Sequence, residues 1–169
     1  MSCVNASFGT RLMVANGVVM SKLNYLITLW GGGAQQYLLS ALQVKQLTAA
    51  RTVCGFGCWT WSKKRLLDKV GWLSVRQLIF YHTVLQAHKT IKTGVPKALH
   101  HSLSSDYPYR TRSAASGQIR QDDPFSAKSS FTFRAIKSYN SVPASVRVGS
   151  TETVKHKLKQ WIKTNIPID

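Results

Sequence analysis

Apolar residues crowd the first thirty positions almost without a gap and only later settle into a helical rhythm. From about residue 10 to residue 30 they run nearly all round, as in a buried helix, and end at Trp30 before Gly31-Gly32-Gly33, a sharp stop. From Tyr37 to Val53 the apolar positions Leu38, Leu39, Leu42, Leu47, Ala50 and Val53 fall mostly three or four apart, with Gly55 and Gly57 beyond them. These two segments predict a helical hairpin. Ser62 is an N-cap for a short basic helix over Lys63 to Val70, closed by Gly71. Ser74 and Gln77 have capping-box spacing, Leu73 and Leu78 that of a hydrophobic staple, and Val75, Leu78, Ile79, His82 and Leu85 share a helix face that should end near Thr93-Gly94, before Pro96. Further on, Phe131, Phe133, Ile136 and Tyr139 predict a helix ending near Asn140 as the chain approaches Pro143. The last helix should run from about Thr151 to Lys163, with Val154, Leu158, Trp161 and Ile162 on one side and lysines on another.

The chain between about 100 and 128 is polar and rich in turn formers. The expected organisation is therefore mainly α: a helical bundle over 1–103, a polar linker over 104–128 with room for a short hairpin, and a basic helical segment over 129–169. The hydrophobic fraction of 44% suits a folded core.

Charge changes the picture. Lys and Arg number 23 against 6 Asp and Glu, a formal net charge of +17, which calls for an anionic partner, with RNA or DNA first. Residues 1–61 hold only Arg11, Lys22, Lys45 and Arg51, whereas the other basic residues lie downstream. The first third thus reads as core or docking surface, with Lys22 and Lys45 on the docking side. Three cysteines, Cys3, Cys54 and Cys58, do not form a disulfide framework, so a reducing compartment, cytoplasm or nucleus, is expected. The long uncharged run from Leu23 to Val44 is broken by the glycines and by Gln35-Gln36, so no membrane span is expected.

Catalytic constellations are hard to find. Asp122-Asp123 lies between Gln121 and Pro124, a solvated-turn context rather than the strand-flanked turn of a polymerase carboxylate pair. Cys54 and Cys58, with His82, His88, His100, His101 and His156 elsewhere, lack the paired spacing of a zinc site and read as helix-end thiols. His82, on an apolar face, reads as a hydrogen-bonded core histidine. No phosphate-binding glycine loop occurs, and no metal or cofactor is implied.

Binding chemistry is easier to place. Trp59, Trp61, Lys63, Lys64 and Arg65 combine stacking surfaces with cations, and Tyr107, Tyr109, Arg110 and Arg112 repeat that combination. Lys155, Lys159 and Lys163, at four-residue spacing, line one helix face suited to a phosphate backbone. Each group also fits a solvated face whose aromatics pack inward.

Several fragments occur in a telling order: Tyr25-Leu-Ile-Thr-Leu-Trp30-Gly31, Leu42-Gln43-Val44-Lys45-Gln46 leading to Ala50-Arg51, Gly71-Trp72-Leu73, Tyr139-Asn140-Ser141-Val142-Pro143 and Leu158-Lys159-Gln160-Trp161. Over roughly residues 10 to 165 the series resembles the region after the polymerase palm in reverse transcriptases of non-LTR, LINE-like retrotransposons. The resemblance implies a helical thumb and post-thumb segment that grips template and primer beside a palm domain. The palm's Tyr/Phe-x-Asp-Asp sequence is absent, so binding carries over and catalysis does not. The chain is expected to be a C-terminal fragment of such a polyprotein or a relic reading frame. The rival reading is a structural docking module for a missing polymerase domain, its charge serving solubility alone.

Overall fold

The computed structural model describes residues 6–25, 27–55, 57–103, 117–119 and 130–168. The fold is mainly α, and among the described residues there is no strand. Apart from 117–119, the expected linker lies outside the described residues, as do Asp122 and Asp123. No described helix is long and apolar enough to cross a membrane.

The chain divides into two compact units, the first comprising residues 1–27, 34–78 and 167–169. Helix α1 (Phe8–Ala15) starts where the Ser7 side chain accepts from the Thr10 amide. It passes through a π-helical turn (Asn16–Met20) into α2 (Ser21–Asn24), and the extended backbone of Tyr25 then interrupts the helix. A further short helix, α3 (Ile27–Trp30), follows the interruption. The single buried helix expected here is therefore corrected on two counts. It is broken, and it is buried on one side only: Ala15, Met20, Leu23 and Ile27 are covered while Met13, Val14 and Val18 stay exposed. An apolar-all-round sequence leaves the packed side to be chosen by its neighbours.

Helix α4 (Gln36–Cys54) buries Gln43, Gln46, Leu47, Ala50 and Val53, whereas Leu38 remains exposed. Helix α5 (Lys63–Val70) packs on it through Leu66, Leu67 and Val70; Ser62 caps its start and Gly71, at φ 74°, takes the left-handed turn at its end. Trp72 donates its indole N–H to Asn16 Oδ1 at 2.8 Å. Two glutamines join α4 to the chain ahead of the next helix. Gln46 Nε2 donates to the Leu73 carbonyl at 2.8 Å, Gln43 Nε2 donates to Gln46 Oε1 at 3.0 Å, and the Val75 amide donates to Gln43 Oε1 at 2.8 Å. Helix α6 (Val75–Thr93) begins there with its capping box formed: Gln77 N–H donates to Ser74 Oγ and Ser74 N–H to Gln77 Oε1.

The second unit comprises residues 28–33 and 79–166. It contains most of α6, a helix α7 (Lys97–Leu103) packed against α8 (Phe131–Ser141), the short α9 (Ala144–Arg147) and α10 (Thr151–Asn165). Neither α7 nor α9 was anticipated, since each is too short to establish a periodicity. Ser130 and Ser150 cap α8 and α10. Val154, Leu158 and Ile162 face inward, and Trp161 stacks on Phe80 with ring centroids 6.0 Å apart. The triple glycine does more than end a helix. A Cβ on Gly32 would coincide with the Arg134 guanidinium, which donates to the Thr28 and Ser130 carbonyls. Asn140 clamps a separate stretch of backbone, accepting from the Ile119 amide and donating to its carbonyl, both at 2.8 Å.

Histidine burial also differs from expectation. His82 is half-buried and meets Tyr81 edge-on, while His88 is the enclosed imidazole, 1% exposed, with no hydrogen-bond partner at Nε2. Desolvation lowers both pKa values, helped by Lys89 at His82 and by Lys92 at His88. The unfolded chain therefore takes up protons that the folded chain refuses, so this stability is fully present above the unfolded value of about 6.5 and is lost as pH falls below it. Thermal midpoints should drop between about pH 7.5 and pH 5.5, and His88→Gln should shrink that drop. An undiminished drop in the His88 variant would show that this imidazole is not the group responsible.

Candidate nucleic-acid interface

The segment from Trp59 to Arg65 is shaped by the end of α4. Gly55 leaves the helix at φ 84°, and the Cys58 thiol turns back to donate to the Gly55 carbonyl at 2.9 Å and to that of Arg51 at 3.4 Å. The Trp61 amide donates to the Cys58 carbonyl at 3.1 Å, which closes the turn. Trp59 emerges 66% exposed, and Trp61 is half-buried. Each indole carries a guanidinium: Arg51 lies 5.8 Å from the Trp59 ring centroid and Arg65 lies 4.5 Å from that of Trp61. Lys63 and Lys64 begin α5, exposed to solvent. This part of the unit thus brings together aromatic faces, guanidinium groups and ammonium groups.

Other expected groups fare differently. Tyr107, Tyr109, Arg110 and Arg112 lie outside the described residues. In α10, the row Lys155, Lys159, Lys163 lies beside the buried row Val154, Leu158, Ile162. Lys159 is exposed and Lys163 half-buried, while Lys155 is in a close ion pair with Glu152 that raises its pKa. The row is therefore not a uniform stripe of solvated charge. Lys157, on a more exposed face, reaches the Ser145 carbonyl at 3.3 Å.

Sequence reasoning overlooked Arg11 and Arg51, assigning the first third to core and docking. Both are half-buried. A Cβ on Gly55 would lie 3.5 Å from both terminal nitrogens of Arg11, so that guanidinium rests against the turn that leads to Trp59. Lys69 is also close, with its ammonium 5.7 Å from the Phe8 ring centroid. Burial and the neighbouring Cys58 thiol push the Cys54 pKa up, while Lys69 and Arg11 oppose them, so both cations act on the same thiol. The available signal was acid depletion: no Asp or Glu precedes Asp68.

Among the described residues, no group of three or more His, Cys, Asp or Glu side chains is placed to hold a metal ion. A cleft of about 140 Å³, lined in part by Leu39, Gln43, Leu47, Ser74 and Arg76, lies in the same unit and meets the interface at Lys63. Comparison with family models, curated proteins and solved structures gave no match.

Proposed function

We propose that this chain is a non-catalytic nucleic-acid-binding module that holds template and primer through phosphate contacts, as the thumb region of a non-LTR retrotransposon reverse transcriptase would. The observation that carries the reading is the combination at 59–65: an exposed Trp59, a guanidinium over each of two indoles, and two solvated lysines at the start of a capped helix. Stacking tolerates any base, and cations meet any phosphate, so such a surface favours little sequence preference. The net charge of +17 adds long-range attraction. The exposed apolar residues Met13, Val14, Val18, Tyr37, Leu38 and Val44 support a second role, docking against a polymerase palm.

Fluorescence anisotropy with labelled single strands and duplexes tests the proposal. Binding should weaken with salt at a log–log slope of roughly −3 to −5, corresponding to about four to six phosphates. Lys63→Gln with Lys64→Gln should flatten the slope by about 1–2. Trp59→Ala should weaken single-strand binding by about 1–3 kcal/mol and leave the slope nearly unchanged. Absence of binding at low salt by folded protein, or an equal loss from Lys22→Gln with Lys45→Gln, overturns the proposal and leaves docking as the better reading.

A further inference from the structure

Arg11 and Arg51 fall outside the basic segments, yet their surroundings are unusual for surface arginines. The Nε of each is buried and has no hydrogen-bond partner, and no carboxylate among the described residues pairs with either. The enclosed Nε is out of reach of anything outside the chain, but the terminal N–H groups of the two guanidiniums are neither enclosed nor hydrogen-bonded among the described residues, and these are the donors that an acceptor from outside can reach. Holding the C-terminal carbonyls of α4 is one possible duty for a cation here. That duty is already met in part: the Arg51 carbonyl receives the Gly55 amide at 2.9 Å and the Cys58 thiol, and the Gly55 carbonyl receives the same thiol. The guanidinium donors remain uncommitted.

Geometry supplies the rest. Arg11 rests against Gly55, Arg51 is one helical turn before it, and Arg51 lies over one part of a Trp59 indole that is otherwise mostly open to solvent. A planar guanidinium offers paired donors that match two phosphate oxygens, which an ammonium cannot do. We propose that Arg11, Arg51 and Trp59 form one nucleotide subsite around Gly55, in which the guanidinium groups take a backbone phosphate of a single strand and the open part of the Trp59 indole stacks on the adjoining base. The inference rests on the nucleic-acid-binding reading and moves two residues of the first third from the docking side to the binding side.

The test uses the full chain, a labelled short pyrimidine single strand and, separately, inorganic pyrophosphate. Arg11→Gln with Arg51→Gln should weaken strand binding about tenfold at moderate salt and flatten the salt slope by about 1–2. Arg11→Lys with Arg51→Lys should restore the slope but only part of the affinity, because charge returns without the paired donors. Pyrophosphate should raise the thermal midpoint of the unaltered chain and shift the Trp59 indole N–H resonance, assigned through Trp59→Phe. Unchanged binding by the Gln variant, with a lowered midpoint, assigns both arginines to the helix end and overturns the subsite. If that variant does not fold, the unaltered chain decides: a Trp59 resonance that ignores pyrophosphate overturns the subsite. Should the unaltered chain bind no strand at low salt, the module reading and the subsite both fall; should Lys63→Gln with Lys64→Gln weaken binding while the arginine variant does not, only the subsite falls.

Discussion

Replacing Gln46 with Leu should destabilise the chain by about 2–4 kcal/mol, although Leu is a good helix former of similar length. Gln46 is fully buried and holds the Leu73 carbonyl, while its own oxygen receives Gln43 Nε2. Leucine removes both partners at once, leaving a buried carbonyl and a buried amide group unsatisfied, and the hydrophobic gain is small beside that loss. Gln43 should also lose its alignment on the Val75 amide, so the start of α6 loosens along with the core. Urea denaturation monitored by circular dichroism reads the change, and Lys45→Leu, at an exposed position of the same helix, serves as the comparison. Equal effects from the two substitutions would refute a special role for the glutamine pair.

Replacing Asn140 with Ala should cost about 2–3 kcal/mol and should act locally as well as globally. The Asn140 amide answers both backbone groups of Ile119, whose side chain is itself 2% exposed. Without it, a donor and an acceptor lose their partners together. Asn140→Asp should give no rescue, because a carboxylate can accept from the Ile119 amide but repels its carbonyl. Hydrogen exchange at the Ile119 amide should accelerate in both variants, whereas Ser141→Ala, which removes only an exposed hydroxyl contact to the Ser138 carbonyl, should leave it slow. Persistent protection of Ile119 in the Ala variant would mean that other contacts hold this stretch.

Both substitutions fall within ordered sequence fragments, Leu42-Gln43-Val44-Lys45-Gln46 and Tyr139-Asn140-Ser141-Val142-Pro143, and give each a structural role. In the second fragment Tyr139 is buried and carries the Arg147 guanidinium 5.0 Å from its ring centroid. Burial raises the Tyr139 pKa, while the adjacent Arg147 opposes that rise.

Helix ends were readable from the sequence because capping is decided within four or five residues. Ser62, the Ser74–Gln77 pair and Gly71 act where their spacing places them. The mainly α character followed from the same local signals, as did the inward row Val154, Leu158 and Ile162 of α10. Trp59, Trp61, Lys63, Lys64 and Arg65 were likewise visible as a group, because they are neighbours in the chain.

Tertiary structure decided whatever depends on partners far away in sequence. An apolar-all-round segment such as 10–30 carries no periodicity to say which side packs, so the exposure of Met13, Val14 and Val18 was not legible. Polar residues are assigned to solvent unless a partner is known, and the partner of Gln46 is 27 positions away. Gly32 read as a helix stop, because Arg134 is about a hundred positions distant. Arg11 and Arg51 fell within a first third that reads as core or docking surface, since only folding sets one against Gly55 and the other over Trp59. Local sequence settled where helices begin and end; contacts across the chain settled which faces are buried and which charges meet.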